Sequence, residues 1–338
     1  MPNPSPQVLT ALRLVLSFLG SGMIVAFLWL VPRLLRGEPL LPRRPLPVGP
    51  WKKPTILLVL FTYFLIQVVV VSLFHAMQAG AGQKPAGEFS FTARLGLVTL
   101  TNIAVVLAIP FVVQVAAGAE RRSMGLSLDR FGLNVWSGVV AFFLVTPWVY
   151  VLFLLAQLIF KANRHPLELM LRQEMSPLAA VLAVLSAVVM APLAEELLFR
   201  GILQTWLNRV FQRRAVADPA YGVGSPIVLE PEGLRWIEPA SSTFQADPWT
   251  APTAVDVLEP PRLEALPSRR EEWLPVLATS LLFGLVHITE MPAPIPIFVL
   301  SLALGYLYQR TGTLVASIIL HALFNGLSTL QLLLAVLS

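Results

Sequence analysis

Cysteine is absent from the 338 residues. Disulfides and thiolate metal sites are therefore excluded, and no redox compartment can be inferred. Charge is nearly as scarce, since only 13% of residues are Asp, Glu, Lys or Arg, against about 25% in soluble domains. Acids are scarcest of all outside one stretch: ten of the nineteen fall within residues 215–272, leaving 20 basic and 9 acidic residues for the rest of the chain. That bias suits loops flanking membrane helices and argues against a nucleic-acid surface. What the chain has in quantity is apolar sequence. Hydrophobic residues make up 56% and the mean hydropathy is +0.73, more apolar surface than a soluble core can absorb.

Runs of roughly 18 or more apolar residues are long enough to cross a bilayer. The expected spans are 14–31, 56–74, 95–117, 135–160 and 178–198, the last able to continue to Phe211, then 274–288, 295–308 and 314–337. The fold class is therefore all-α, a polytopic transmembrane bundle of about eight helices, with its sixth and seventh members short. Short spans are tolerated where protein rather than lipid covers their ends. The first run is long for a signal peptide and has no basic cluster before it, so it is expected to be retained. Pro110, Pro147 and Pro192 fall inside spans, where each removes a backbone donor and should kink or locally break its helix.

Arg33, Arg36, Arg43, Arg44, Lys52 and Lys53 form the strongest basic cluster, expected to face the cytoplasm. Alternation puts Arg121, Arg122, Arg130, Arg209, Arg213 and Arg214 on the same side. Lys84, Lys161 and Arg164 fall on the other, with both termini. Residues 215–272 contain nine prolines and no helical or strand period, and read as a polar loop insertion without a fold of its own. Two regions are expected: helices without motifs over 1–122, and a motif-bearing domain over 123–338 that the insertion interrupts.

Ionisable residues at bilayer depth cost about 2.5–3.5 kcal/mol each even on lenient insertion scales, so they are kept for partners and function. Three clusters stand out. In Glu195-Glu196-Leu-Leu-Phe-Arg200 the adjacent carboxylates project about 100° apart on a helix and cannot share one role. Glu196 and Arg200, four apart and acid first, are placed to pair, leaving Glu195 to face elsewhere. In Phe283-Gly-Leu-Val-His287, Gly284 permits a second helix to approach beside the histidine. In His321-Ala-Leu-Phe-Asn325 two hydrogen-bonding side chains share one face of an apolar helix. Solvated helix ends or interhelical hydrogen bonds would account for any one cluster. Together they can converge in a bundle interior. His75 and His165 carry no role.

Glu-Glu-x-x-x-Arg, Phe-x-x-x-His and His-x-x-x-Asn, in that order on membrane helices, resemble the three motifs of the CAAX-protease and bacteriocin-processing family, relatives of the Ras-converting endopeptidase. The stretch from Gly305 toward His321 is similar too, and Met124–Leu128 more weakly, so the resemblance covers roughly 123–330 without the insertion. It implies an intramembrane endopeptidase. Glu195 would be the general base that activates water, His287 would orient that water, His321 and Asn325 would stabilise the oxyanion, and Glu196 with Arg200 would hold the base. A carboxylate withdrawn from bulk water is a better base, and an oxyanion donor contributes about 3–4 kcal/mol in a water-poor site. No cofactor is expected under this reading. A zinc-dependent variant would use Glu195, His287 and His321 as ligands, although the short His-Glu-x-x-His spacing is missing.

The expected partners are a membrane protein or peptide substrate and the lipid bilayer, not nucleic acid. The expected location is a bacterial inner membrane, as a multi-pass protein. Prenylated CAAX tails are a eukaryotic substrate class, and nothing in the sequence requires a lipidated substrate. Two other functions compete: a non-catalytic immunity or scaffold protein of the same fold, and a carrier that uses its buried ionisable groups as a relay. The first has no need of all the polar positions. The second would be favoured by inverted repeats, and none is evident.

Overall fold

Helices that are apolar on every side satisfy all their backbone groups internally, which is the requirement lipid imposes. The structure, a computed structural model, describes residues 6–38, 41, 44, 46, 47, 49–80, 90–160, 176–217 and 269–337. Among these there are eight helices and no strand: α1 (Pro6–Leu35), α2 (Lys53–Gly80), α3 (Phe91–Ala117), α4 (Phe131–Ile159), α5 (177–217), α6 (Arg269–Leu285), α7 (Pro294–Thr311) and α8 (Val315–Leu337). Six of them, α1 to α5 and α8, are long and apolar enough to cross a membrane. The chain is a multi-pass helical membrane protein, with α6 and α7 the shorter pair that the sequence leads one to expect.

Two boundaries differ from expectation. The fifth helix runs unbroken to residue 217, past the start assigned to the insertion. The sixth begins at Arg269 and ends at Leu285, so His287 lies beyond its helix rather than inside a span. A single turn of 3-10 helix, Ile288–Glu290, follows it. Nearly all of the 215–272 insertion, and Arg43, Lys84, Lys161, Arg164 and His165, lie outside the described residues. Helices α3 and α4 run through Pro110 and Pro147, and only Pro192 coincides with a change of helix type.

That change is in α5, which is composite. α-Helical turns at Pro177–Val184, Ala191–Glu196 and Thr205–Ala217 alternate with π-helical segments at Leu185–Met190 and Leu197–Gln204. In the first π segment the N–H of Ala191 bonds Ser186 O, five residues back. Pro192 in the same register would bond Ala187 O but has no N–H to give. π-Bulges widen a helix locally and are frequent at functional sites; here one lies on each side of Glu195 and Glu196.

The core sits where α5, α7 and α8 meet α3 and α4. One cluster joins Val105, Ile109, Leu197, Ile202, Tyr308 and Leu314, and another joins Phe142, Leu300, Leu304, Ala316 and Leu320. Gly138 lets α4 and α8 touch: a Cβ there would lie 2.6 Å from Ala316 O and 2.8 Å from Ile319 Cβ. The basic loops gather at one end of the bundle. Arg209 donates to Gly49 O at 2.9 Å, Trp51 Nε1 donates to Ile202 O at 3.2 Å, and Leu314 N bonds Gly125 O at 3.0 Å. Met124, at the start of the weaker similarity stretch, is fully buried in this junction.

Candidate active site

The turn between the two π segments carries Glu195 and Glu196 on different faces. Glu196 is sealed, with no side-chain exposure, while Glu195 keeps 32% of its side chain accessible. Arg200, one turn on and equally buried, donates from Nη1 to Glu196 Oε1 at 3.0 Å, the pairing their spacing suggests. A buried pair offsets its desolvation better the more of its remaining groups are held, although Arg200 Nε and Glu196 Oε2 find no hydrogen-bond partner among the described residues. Arg200 Nη2 reaches across to α7, donating to Ser301 Oγ at 2.7 Å and to Ser301 O at 3.2 Å. Its guanidinium also lies 4.7 Å from the centre of the Phe283 ring, a cation–π contact strengthened by burial.

His321 enters from α8 and links the two acids. Its Nδ1 lies 2.9 Å from Glu196 Oε1. A carboxylate there accepts, which puts the proton on Nδ1. The opposite nitrogen, Nε2, is 3.6 Å from Glu195 Oε2, too far for a hydrogen bond. Nε2 and the Glu195 carboxylate are thus neighbours without a hydrogen bond between them. The two carboxylates divide as expected, one held and one open, but a single histidine serves both.

His287 follows α6. Its Nδ1 is 2.8 Å from Phe283 O, and a carbonyl only accepts, so Nε2 is the basic nitrogen left for other partners. The His287 ring lies 5.2 Å from that of Phe283, which is itself 5.8 Å from His321, so His287 belongs to the cluster although its helix has ended. Gly284 permits the approach expected of it: a Cβ would meet Pro294 O at 3.2 Å and Phe298 Cβ at 3.3 Å, at the start of α7. Phe283 stacks edge-on against Phe199 at 4.9 Å and against His321 at 5.8 Å, walling the site with rings.

Asn325, one turn beyond His321, donates from Nδ2 to Ala187 O at 2.9 Å. Ala187 O is the carbonyl that Pro192 leaves without a backbone donor in the π register, so Asn325 closes the gap from a different helix. A second Nδ2 hydrogen remains on this side chain.

All six sequence-identified positions, Glu195, Glu196, Arg200, His287, His321 and Asn325, therefore lie in one region between α5, α6 and α8. Ser301 was missed, although one hydroxyl inside the apolar run of α7 was a usable signal. Thr205 and Tyr308, whose hydroxyls are 2.6 Å apart, were missed as well; they tie α5 to α7 below the site. Among the described residues, no group of three or more His, Asp or Glu side chains is arranged to hold a metal ion.

Residues 177–226 and 260–327 match the family model described as Type II CAAX prenyl endopeptidase Rce1-like. No curated protein and no solved structure is matched. The matched stretch holds α5 through most of α8, and with them all six polar positions. Over residues 177–226 and 260–327, then, the chain is similar to that family model, and the three motifs lie within the matched stretches.

Proposed function

We propose that the chain is an intramembrane endopeptidase in which Glu195 activates water against a peptide bond presented near the membrane surface. The observation that carries this reading is the pairing of an accessible Glu195 with a sealed Glu196, both facing His321. A scaffold gains nothing from leaving one acid open beside a histidine whose second nitrogen has no hydrogen-bonded partner among the described residues.

In the proposed reaction Glu195 takes a proton from water as the water oxygen attacks the peptide carbonyl. The carbonyl π electrons move onto oxygen, and the resulting oxyanion accepts hydrogen bonds from the second N–H of Asn325 and from His321 Nε2–H, the ring acting as imidazolium with its Nδ1–H given to Glu196. Collapse of the tetrahedral intermediate reforms the carbonyl and breaks the C–N bond, with Glu195 returning its proton to the leaving amine. His287 Nε2 orients the water. Glu196, Arg200 and Ser301 fix His321 and the helix turn that carries the base. Positioning of this kind matters because donors preorganised at the developing charge act without reorganisation cost. The basic end of the bundle faces the cytoplasm in this reading.

A zinc-assisted version would enlist Glu195, His287 and His321. The test uses purified protein with a quenched fluorogenic farnesylated CAAX-tail peptide, the same peptide without its lipid, and a pooled peptide library. Cleavage by the wild type that survives exhaustive chelation and is lost in Glu195→Gln supports the glutamate mechanism. Cleavage lost on chelation and restored by zinc would replace it with the metal version. Wild-type levels of cleavage in Glu195→Gln would end both.

A further inference from the structure

At the basic end of the bundle a cavity of about 370 Å³ opens between the end of α1, the loop before α2 and the start of α4. It falls in the roughly 300–1,000 Å³ range of small-molecule sites. Three arginines from three segments line it, Arg33, Arg44 and Arg130, and among the described residues no carboxylate does. Among the described residues none of the three is ion-paired. Arg44 is half-buried and only loosely held, its Nη1 3.5 Å from Asn134 Oδ1. Burial and the neighbouring Arg130 charge hold its guanidinium below the usual arginine value, the signature of cations gathered without their counter-ion. Arg33 lies 4.1 Å over the ring of Trp29, which fixes its direction.

The backbone adds a second feature of the same sign. Arg130 adopts a left-handed conformation, φ 51°, as the N-cap of the 29-residue α4. No side chain caps that terminus and no acid occupies its first turn. The partial positive charge of the helix start is therefore not answered by an acid in its own first turn, and Arg130 at the cap adds charge of the same sign. Arginine forks match the paired oxygens of phosphate. Trp29 and Trp136 also line the cavity, and tryptophan collects at the headgroup level of a bilayer.

We propose that this cavity is a phosphate-binding site, filled by the headgroup of an anionic phospholipid or by a free phosphate anion, and separate from the Glu195 cluster. Nothing in it depends on the peptidase reading. An occupant would tie α1 and the loop before α2 to α4.

The experiment is native mass spectrometry of the detergent-purified full chain titrated with short-chain phosphatidylglycerol or phosphatidylcholine, with inorganic phosphate as competitor. The wild type should retain phosphatidylglycerol in preference to phosphatidylcholine. Each of Arg44→Gln and Arg130→Gln should cut that preference roughly fivefold, and the pair roughly 25-fold, at the usual strength of one arginine against an anionic surface. Arg36→Gln is the control, since Arg36 is exposed, 3.8 Å from Glu38 and outside the cavity; it should bind as the wild type does. Thermal unfolding without lipid confirms that each variant is folded, and Arg130→Gln alone suffices if the pair is not, because that side chain is exposed. Displacement by inorganic phosphate would assign the site to the free anion, and retention against it to the lipid. Equal binding of both lipids by the wild type, or equal losses in Arg36→Gln and Arg44→Gln, would overturn the proposal.

Discussion

Helices α1 and α2 bury only 6% and 11% of their apolar windows inside the protein, whereas α5 and α8 each bury 28%. What they bury differs more than how much. The exposed sides of α1 and α2 are Leu, Phe and Val, with Leu57, Phe61, Phe64 and Val68 all above 60% exposed. Around α5, α7 and α8 the fully buried set includes Glu196, Arg200, Gln204, Ser301 and Ser317. One region is dissolved in lipid and held by composition. The other encloses charges that lipid would reject, so each must find a specific partner. Tolerance to substitution should therefore be broad in the first and narrow in the second.

The sharpest test of that contrast is Arg200→Ala. It leaves the Glu196 carboxylate in a sealed site with His321 as its remaining partner, and removing one partner of a buried pair costs about 3–5 kcal/mol. Thermal unfolding of purified protein should fall accordingly, and Arg200→Lys should recover only part of the loss, since an ammonium cannot span Glu196 and Ser301 together. Ser301→Ala should cost about 1.5–3 kcal/mol, the range for a hydrogen bond to a charged group. Arg200 keeps Ser301 O in that variant, so kcat should drop while the fold persists. Asn325→Ala leaves Ala187 O without a donor and should destabilise by about 1–3 kcal/mol; amide hydrogen exchange around 185–192 should rise with it. At the other extreme, Phe61→Leu on the lipid face of α2 should change stability by less than about 0.5 kcal/mol. A large effect there would show that α2 is covered by protein and that the contrast is mistaken.

The helix count was legible because run length is a composition property, and the long fifth helix was visible as a possible continuation to Phe211. The end of the sixth helix was not. His287 follows an apolar run without a break, and neither Val286 nor His287 forbids helix. Pro292, Pro294 and Pro296 close behind announce that the helix must stop, but not that it stops before His287. The Glu196–Arg200 pair could be read from spacing four. That His321 would touch both glutamates could not, because it depends on how α8 docks against α5. The π segments were equally hidden. Pro192 announced a disturbance, but the donor that answers it, Asn325, is 138 residues from Ala187.

Under the proposed mechanism two adjacent acids differ in role, Glu195 serving chemistry and Glu196 structure. The most direct measurement follows cleavage of the probe peptides and thermal unfolding together for Glu195→Ala and Glu196→Ala. Glu195→Ala should lose roughly 10²–10⁴-fold in cleavage rate, the range for a general base, and unfold at the wild-type temperature. Glu196→Ala should lose stability first and activity with it. Cleavage that persists undiminished in folded Glu195→Ala would contradict the account.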